Sequence, residues 1–132
     1  MKVLFTLPFL ILIISTLSFV QKKETTIFLV GDSTMSDKPF INGNPERGWG
    51  QVFPLYLKEG MHVENHAING RSTKSFRNEG RWTNVLNRLR SGDYVIIEFG
   101  HNDQKVEDTT RYAEANTDYR VNFTRFVDEV RQ

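Results

Sequence analysis

A chain of 132 residues with a formal net charge of +1 has room for about one domain, and without a Lys/Arg run it offers no electrostatic footprint for nucleic acid. It has no cysteine, which excludes disulfides, thiolate catalysis and thiolate-bound metal.

In chain order, the first element is a leader. Lys2 precedes the apolar stretch "VLFTLPFLILIISTLSFV", and the polar "QKKETT" follows. A basic start, an apolar core and small residues around Ser15–Ser18 predict a secretory signal over residues 1–21, in preference to an uncleaved N-terminal anchor. The expected location is secreted or periplasmic, with no stable membrane partner after cleavage. Residues 22–132 are then the folded portion.

Thr25 to Val30 is apolar and β-branched on consecutive positions, the pattern of a strand buried on both faces. Lys38 to Arg47, with Pro39, Gly43 and Pro45, predicts a loop. Trp49, Val52, Phe53 and Tyr56 recur at helical spacing, with Pro54 placed to distort that helix. A second strand is predicted over Met61 to Ala67. Ser72 and Ser75 are candidate helix caps, and Trp82, Val85, Leu86 and Leu89 mark a helix stopped by Gly92. "DYVIIEF", Asp93 to Phe99, predicts a third strand. Gln104 to Asn116 predicts a polar loop, and Tyr119, Phe123, Phe126, Val127 and Val130 an amphipathic helix. These apolar stripes, Trp49 and Trp82 included, are read as core. Alternating strands and helices predict an α/β fold with parallel strands and right-handed crossovers.

In a parallel sheet, functional groups gather at the carboxyl ends of the strands. Gly31-Asp32-Ser33 ends the first strand, Asn69-Gly70 follows the second and Gly100-His101-Asn102-Asp103 follows the third. Each alone reads as an ordinary turn; together they suit acyl transfer. That chemistry needs a nucleophile and donors for the developing oxyanion. Ser33 would supply the hydroxyl and its own N–H, Gly70 a backbone N–H, and Asn102 a side-chain amide. Asp32 and Asp103 are supporting residues that hold their turns. No metal constellation or phosphate-binding loop is present, and no cofactor is expected.

These blocks resemble the SGNH/GDSL hydrolases, with Ser33, Gly70 and Asn102 in the first three family positions. "GDSTMSDKP", "RGWGQVFPLYL", "NHAINGRSTKSFRNEGRW" and "GDYVIIEFGHNDQK" are similar to its rhamnogalacturonan acetylesterase branch. The resemblance implies a flavodoxin-like three-layer parallel sheet. It also implies a secreted serine esterase that removes acetyl groups from a plant cell-wall polysaccharide such as the rhamnogalacturonan of pectin. A lipase or thioesterase of the same family, and an inactive fragment or carbohydrate-binding pseudoenzyme, are the alternatives.

The fourth family block, an Asp-x-x-His carrying the general base and its orienting Asp, is not in this chain. Glu59, Val63 and Glu98 stand three residues before His62, His66 and His101. The expectation is therefore an N-terminal portion lacking the C-terminal strands and the His-bearing segment, and inactive by itself. His101 is expected to make a structural hydrogen bond, His66 to be a satisfied core or rim histidine at a strand end and His62 to be exposed. Arg47, Arg71 and Arg81 are candidates for contact with an acidic polymer. Asn122 opens a glycosylation sequon on a predicted helix and is discounted.

Overall fold

The computed structural model describes residues 24–132. The segment expected to be a secretory signal lies outside them, and among the described residues no helix is long and apolar enough to cross a membrane.

Three parallel strands form the sheet, in the order β2-β1-β3. They are β1 (Thr25–Gly31), β2 (Met61–Asn65) and β3 (Tyr94–Glu98). β1 is central and buried from Ile27 onward, which accounts for its unbroken apolar run. The register sets Gly31 beside Glu98 and Leu29 beside Asn65, so the three carboxyl ends lie along one edge. β2 stops two residues short of the expected Ala67. Past Asn65 the chain still follows β1, with His66 N–H on the Leu29 carbonyl at 2.8 Å and Ile68 N–H on the Gly31 carbonyl at 3.0 Å.

Helices cover both faces. On one face, α1 (Trp49–Val52) gives way to a 3-10 turn (Phe53–Tyr56), because Pro54 has no N–H to continue an α-helix. Phe53 and Leu57 pack there against Ile27, Leu29, Met35 and Ala67. On the other face lie α2 (Thr73–Asn78), α3 (Arg81–Leu86) and α4 (Arg120–Val130), the last entered through a π-helical turn (Ala115–Tyr119). Phe76, Trp82, Val85 and Phe126 from these helices close on Phe28, Val30 and Phe99. The ring centroids of Trp82 and Phe126 lie 4.6 Å apart, edge to face, and those of Phe76 and Phe99 5.3 Å apart. The result is a three-layer α/β arrangement around a parallel sheet.

Two apolar stripes need correction. Trp49 is not core: it is 36% exposed, and its indole donates to Glu98 Oε2 at 2.5 Å. Val52, at the end of α1, is exposed as well, and so is Tyr56, which the switch to 3-10 geometry turns off the helical stripe. In α4, Val127 is also exposed, while Phe126 is completely buried. α2 was legible only through its caps. Ser72 and Ser75 form a reciprocal capping box, each side chain accepting the other's backbone N–H, at 3.1 and 2.9 Å.

Candidate active site at the carboxyl edge of the sheet

β1 hands the chain into a tight turn. Asp32 is buried; its Oδ1 accepts the Thr34 N–H at 3.1 Å and its carbonyl accepts the Ser36 N–H at 3.0 Å. This is the local capping that short acidic side chains make in turns. The turn is pressed from outside by α1. Trp49 N–H donates to the Thr34 carbonyl at 2.9 Å, and a Cβ on Gly48 would lie 2.0 Å from the Ser36 carbonyl oxygen. The glycine of "RGWG" is therefore needed for close approach. Ser33 stays partly exposed at the tip.

The second block lies in the loop after β2. Gly70 has φ of 75°, a left-handed conformation that favours glycine. A Cβ there would have a single neighbour within 4 Å, Arg111 Nη1 at 3.7 Å. Backbone conformation, rather than crowding, explains the glycine. Among the described residues, neither the Ser33 nor the Gly70 backbone N–H has an acceptor.

The third block ties these loops together. Asn102 is buried; its Nδ2 donates to the Arg71 carbonyl at 3.0 Å and reaches Asp32 Oδ2 at 3.4 Å. One amide hydrogen is thus committed, and the other is weakly held beside the nucleophile turn. Arg111 Nη1 donates to Asn102 Oδ1 at 3.3 Å, which fixes the amide's orientation. Asp108 accepts Arg111 Nε at 2.5 Å; the Thr110 hydroxyl first, then Arg111, hold its carboxyl down at about 2.

Asp103 does more than hold the Asn102 loop. Its Oδ1 accepts the Thr73 N–H at 2.9 Å and the Thr73 hydroxyl, so it joins the β3 end to the first turn of α2. Its Oδ2 is buried without a partner among the described residues. Burial pushes the Asp103 carboxyl up, the Thr73 bonds oppose that, and the charge of Asp32 adds to it.

The structure brings Ser33, Gly70 and Asn102 to one edge with Asp32 and Asp103 beneath them. It brings no histidine to Ser33: among the described residues the Ser33 hydroxyl has no hydrogen-bond partner. His62 is exposed and meets Glu24 at 3.3 Å. His66 stacks on Phe28 with centroids 5.8 Å apart and contacts Glu64 at 3.3 Å. His101 is exposed, and its ring makes no hydrogen bond among the described residues, contrary to the structural bond expected of it. Among the described residues, no group of three or more His, Asp or Glu side chains could hold a metal ion.

The model of the GDSL-like lipase/acylhydrolase family matches residues 29–132. The chain belongs to this family. It is 44% identical over 112 residues to the rhamnogalacturonan acetylesterase RhgT of Bacillus subtilis (strain 168), a match covering 85% of this chain and 46% of that one. It is 46% identical over 80 residues to the rhamnogalacturonan acetylesterase of Emericella nidulans, covering 59% of this chain and 28% of that one. The crystal structure of YxiM from Bacillus subtilis superposes with a TM-score of 0.72 at 28% identity, over 82% of this chain and 30% of that one. The α/β sheet described above is thus the SGNH-type fold of a GDSL-like acylhydrolase, a family of carboxylic ester hydrolases. The chain spans less than half the length of the curated relatives it matches.

Sequence reasoning missed three residues of this edge. Thr73 sits inside the "NHAINGRSTKSFRNEGRW" block, where the motif marks out no role for it, and Arg111 sits in a predicted polar loop without a motif. Lys38 reads in the sequence only as the first residue of a loop, and it is buried.

Proposed function

We propose that residues 22–132 carry the nucleophile and oxyanion donors of a secreted serine esterase that removes acetyl groups from rhamnogalacturonan or a similar acidic plant polysaccharide. The observation that carries this is the pair of unengaged N–H groups, Ser33 and Gly70, on adjoining strand ends, with the Asn102 amide tied to both loops. Such donors suit a carbonyl oxygen that gains charge as the hydroxyl adds to it.

In this reading Ser33 Oγ bonds to the acetyl carbonyl carbon, and the carbonyl electron pair moves onto the oxygen held by these donors. The serine proton passes to a histidine supplied from outside residues 22–132, which returns it to the departing sugar alkoxide. Water then cleaves the acetyl-serine to acetate. The names of the relatives support acetylated rhamnogalacturonan as the substrate. So does a cleft lined by Gly70 together with Arg71, Lys74 and Arg111. Arg71 is shared with Glu79, but among the described residues the Lys74 ammonium meets only the Thr109 carbonyl, at 2.8 Å, and has charge to offer a uronate. Arg81 is paired with Glu79 at 2.5 Å, and Arg47 is folded over Phe40 at 3.8 Å from the ring centroid. Neither lines this cleft, so the cationic role rests first on Lys74, with Arg71 and Arg111, themselves paired with Glu79 and Asp108, beside it.

The test is acetate release from acetylated rhamnogalacturonan by the natural protein carrying this segment. Ser33→Ala is expected to lower turnover by at least about 10³-fold while leaving the fold intact. Unchanged release by Ser33→Ala would sink the mechanism. Faster turnover of long-chain acyl esters than of acetyl esters would move the protein to the lipase or thioesterase reading.

A further inference from the structure

Lys38 is 7% exposed, and it is the one buried cation among the described residues. A buried ammonium needs compensation. Here the compensation is neutral: Nζ donates to the Ser33 carbonyl at 2.5 Å, to Asn69 Oδ1 at 2.5 Å and to Ser36 Oγ at 3.0 Å. These bonds use all three ammonium hydrogens. Ser36 Oγ closes the ring by donating to Asn69 Oδ1 at 2.5 Å. Lys38 therefore spans from the nucleophile turn of β1 to the loop after β2. It grips Ser33 itself on one side and, on the other, the residue whose peptide bond carries the Gly70 N–H.

We propose that Lys38 is a positioning residue for ester hydrolysis, whose buried ammonium clamps the Ser33 turn to Asn69 and so holds the Ser33 and Gly70 N–H groups at the spacing an oxyanion requires. It touches no reacting atom. Its charge, held beside the Ser33 turn and the Asn69–Gly70 loop, also favours negative charge in front of the two donors. The inference rests on the hydrolase reading above.

The natural full-length protein tests it. Lys38→Met keeps the apolar stem and removes the donors and the charge. Its kcat on an acetyl ester is expected to fall by about 10- to 10²-fold, with KM held within about twofold, because the clamp serves the transition state rather than substrate binding. A boronic acid that adds to Ser33 as a tetrahedral adduct should lose affinity by the same factor. A role confined to stability would lower the melting temperature and leave kcat and boronate affinity unchanged at a temperature where the variant is folded; that result overturns the proposal. Asn69→Ala removes the far anchor and leaves Lys38 in place, with an expected loss in kcat of about tenfold. It carries the test should Lys38→Met fail to fold, and an unchanged kcat in it is equally fatal. Ser33→Ala separates the two readings. If wild type releases no acetate, or Ser33→Ala still does, the hydrolase reading has failed. If both controls behave and the clamp variants match wild type, only the role of Lys38 has failed.

Discussion

The aromatic face of the sheet and its carboxyl edge are both buried, by opposite means. Under α2, α3 and α4, Phe28, Phe76, Phe99 and Phe126 exclude water by apolar contact. At the edge, Asp32, Ser36, Lys38, Thr73, Asn102 and Asp103 are buried and make specific hydrogen bonds, with one oxygen of Asp103 left over. The apolar side gains free energy roughly in proportion to area and tolerates changes that preserve volume. The polar side gains little net stability, because each protein hydrogen bond replaces one to water, yet it loses heavily when one partner is removed. The edge is thus a place where geometry is held at the expense of stability, as a site for positioned donors requires.

That contrast can be broken most forcefully from the apolar side. Phe126→Ala should destabilise the natural protein by about 3–5 kcal/mol in urea unfolding, since it empties the centre of the aromatic cluster. Turnover at a temperature where the variant stays folded should change less than about twofold. A loss below about 1 kcal/mol would show that α4 is not part of the core.

Asn102→Ala should show the reverse pattern. Turnover should fall by about 10²–10³-fold, as for loss of an oxyanion donor. Stability should fall by only about 1–3 kcal/mol, for the stranded Arg71 carbonyl. Equal turnover in the variant would remove Asn102 from the oxyanion site.

Asp103 gives the smallest effect and the most specific one. Its folded carboxyl binds a proton more readily than the unfolded chain, whose ordinary value is 3.8, mainly because it is buried. The folded state therefore holds more protons as pH rises through that window, and this group's contribution to stability falls from about 3.8 up through the raised folded value. Asp103→Asn keeps an oxygen for Thr73 and removes the charge. It should be at least as stable as wild type at neutral pH, with the advantage vanishing below the unfolded value, as read from unfolding midpoints over a pH series. Lower stability of the variant at neutral pH would refute this account. Glu129 titrates in the opposite sense. Arg77 holds its carboxyl below 4.5, so its contribution is in place above that value and is lost as pH falls through the lower folded one.

Most of the architecture was legible in short-range patterns. The consecutive apolar positions of β1 announced a buried parallel strand, those of β3 a parallel strand that is only half-buried in the structure, and Ser72 with Ser75 announced a helix start. The errors were local ones of the same kind. Trp49, Val52 and Tyr56 fit a helical stripe on paper, but the helix lasts only to Val52, a proline-driven 3-10 turn carries Tyr56 off the stripe, and the Trp49 indole goes to Glu98. In the site, Ser33, Gly70 and Asn102 could be picked out because each ends a predicted strand. Lys38, Thr73 and Arg111 could not, because none of them ends a strand and each acts by bonding another segment, Lys38 to Asn69, Thr73 to Asp103 and Arg111 to Asn102.

By itself the sequence determined the strand and helix periods, the order of the three motif blocks and hence their arrival at one edge. Alternation of parallel strands with helices leaves no other edge for them. Only the tertiary structure decided what those blocks are tied to. Lys38 reaches Asn69 across 31 positions, Thr73 reaches Asp103 across 30 and Asn102 reaches Asp32 across 70. Pairings at such separations leave no periodic trace in the sequence. They form because a polar group carried into the interior by the fold must find its partner there, wherever in the chain that partner lies.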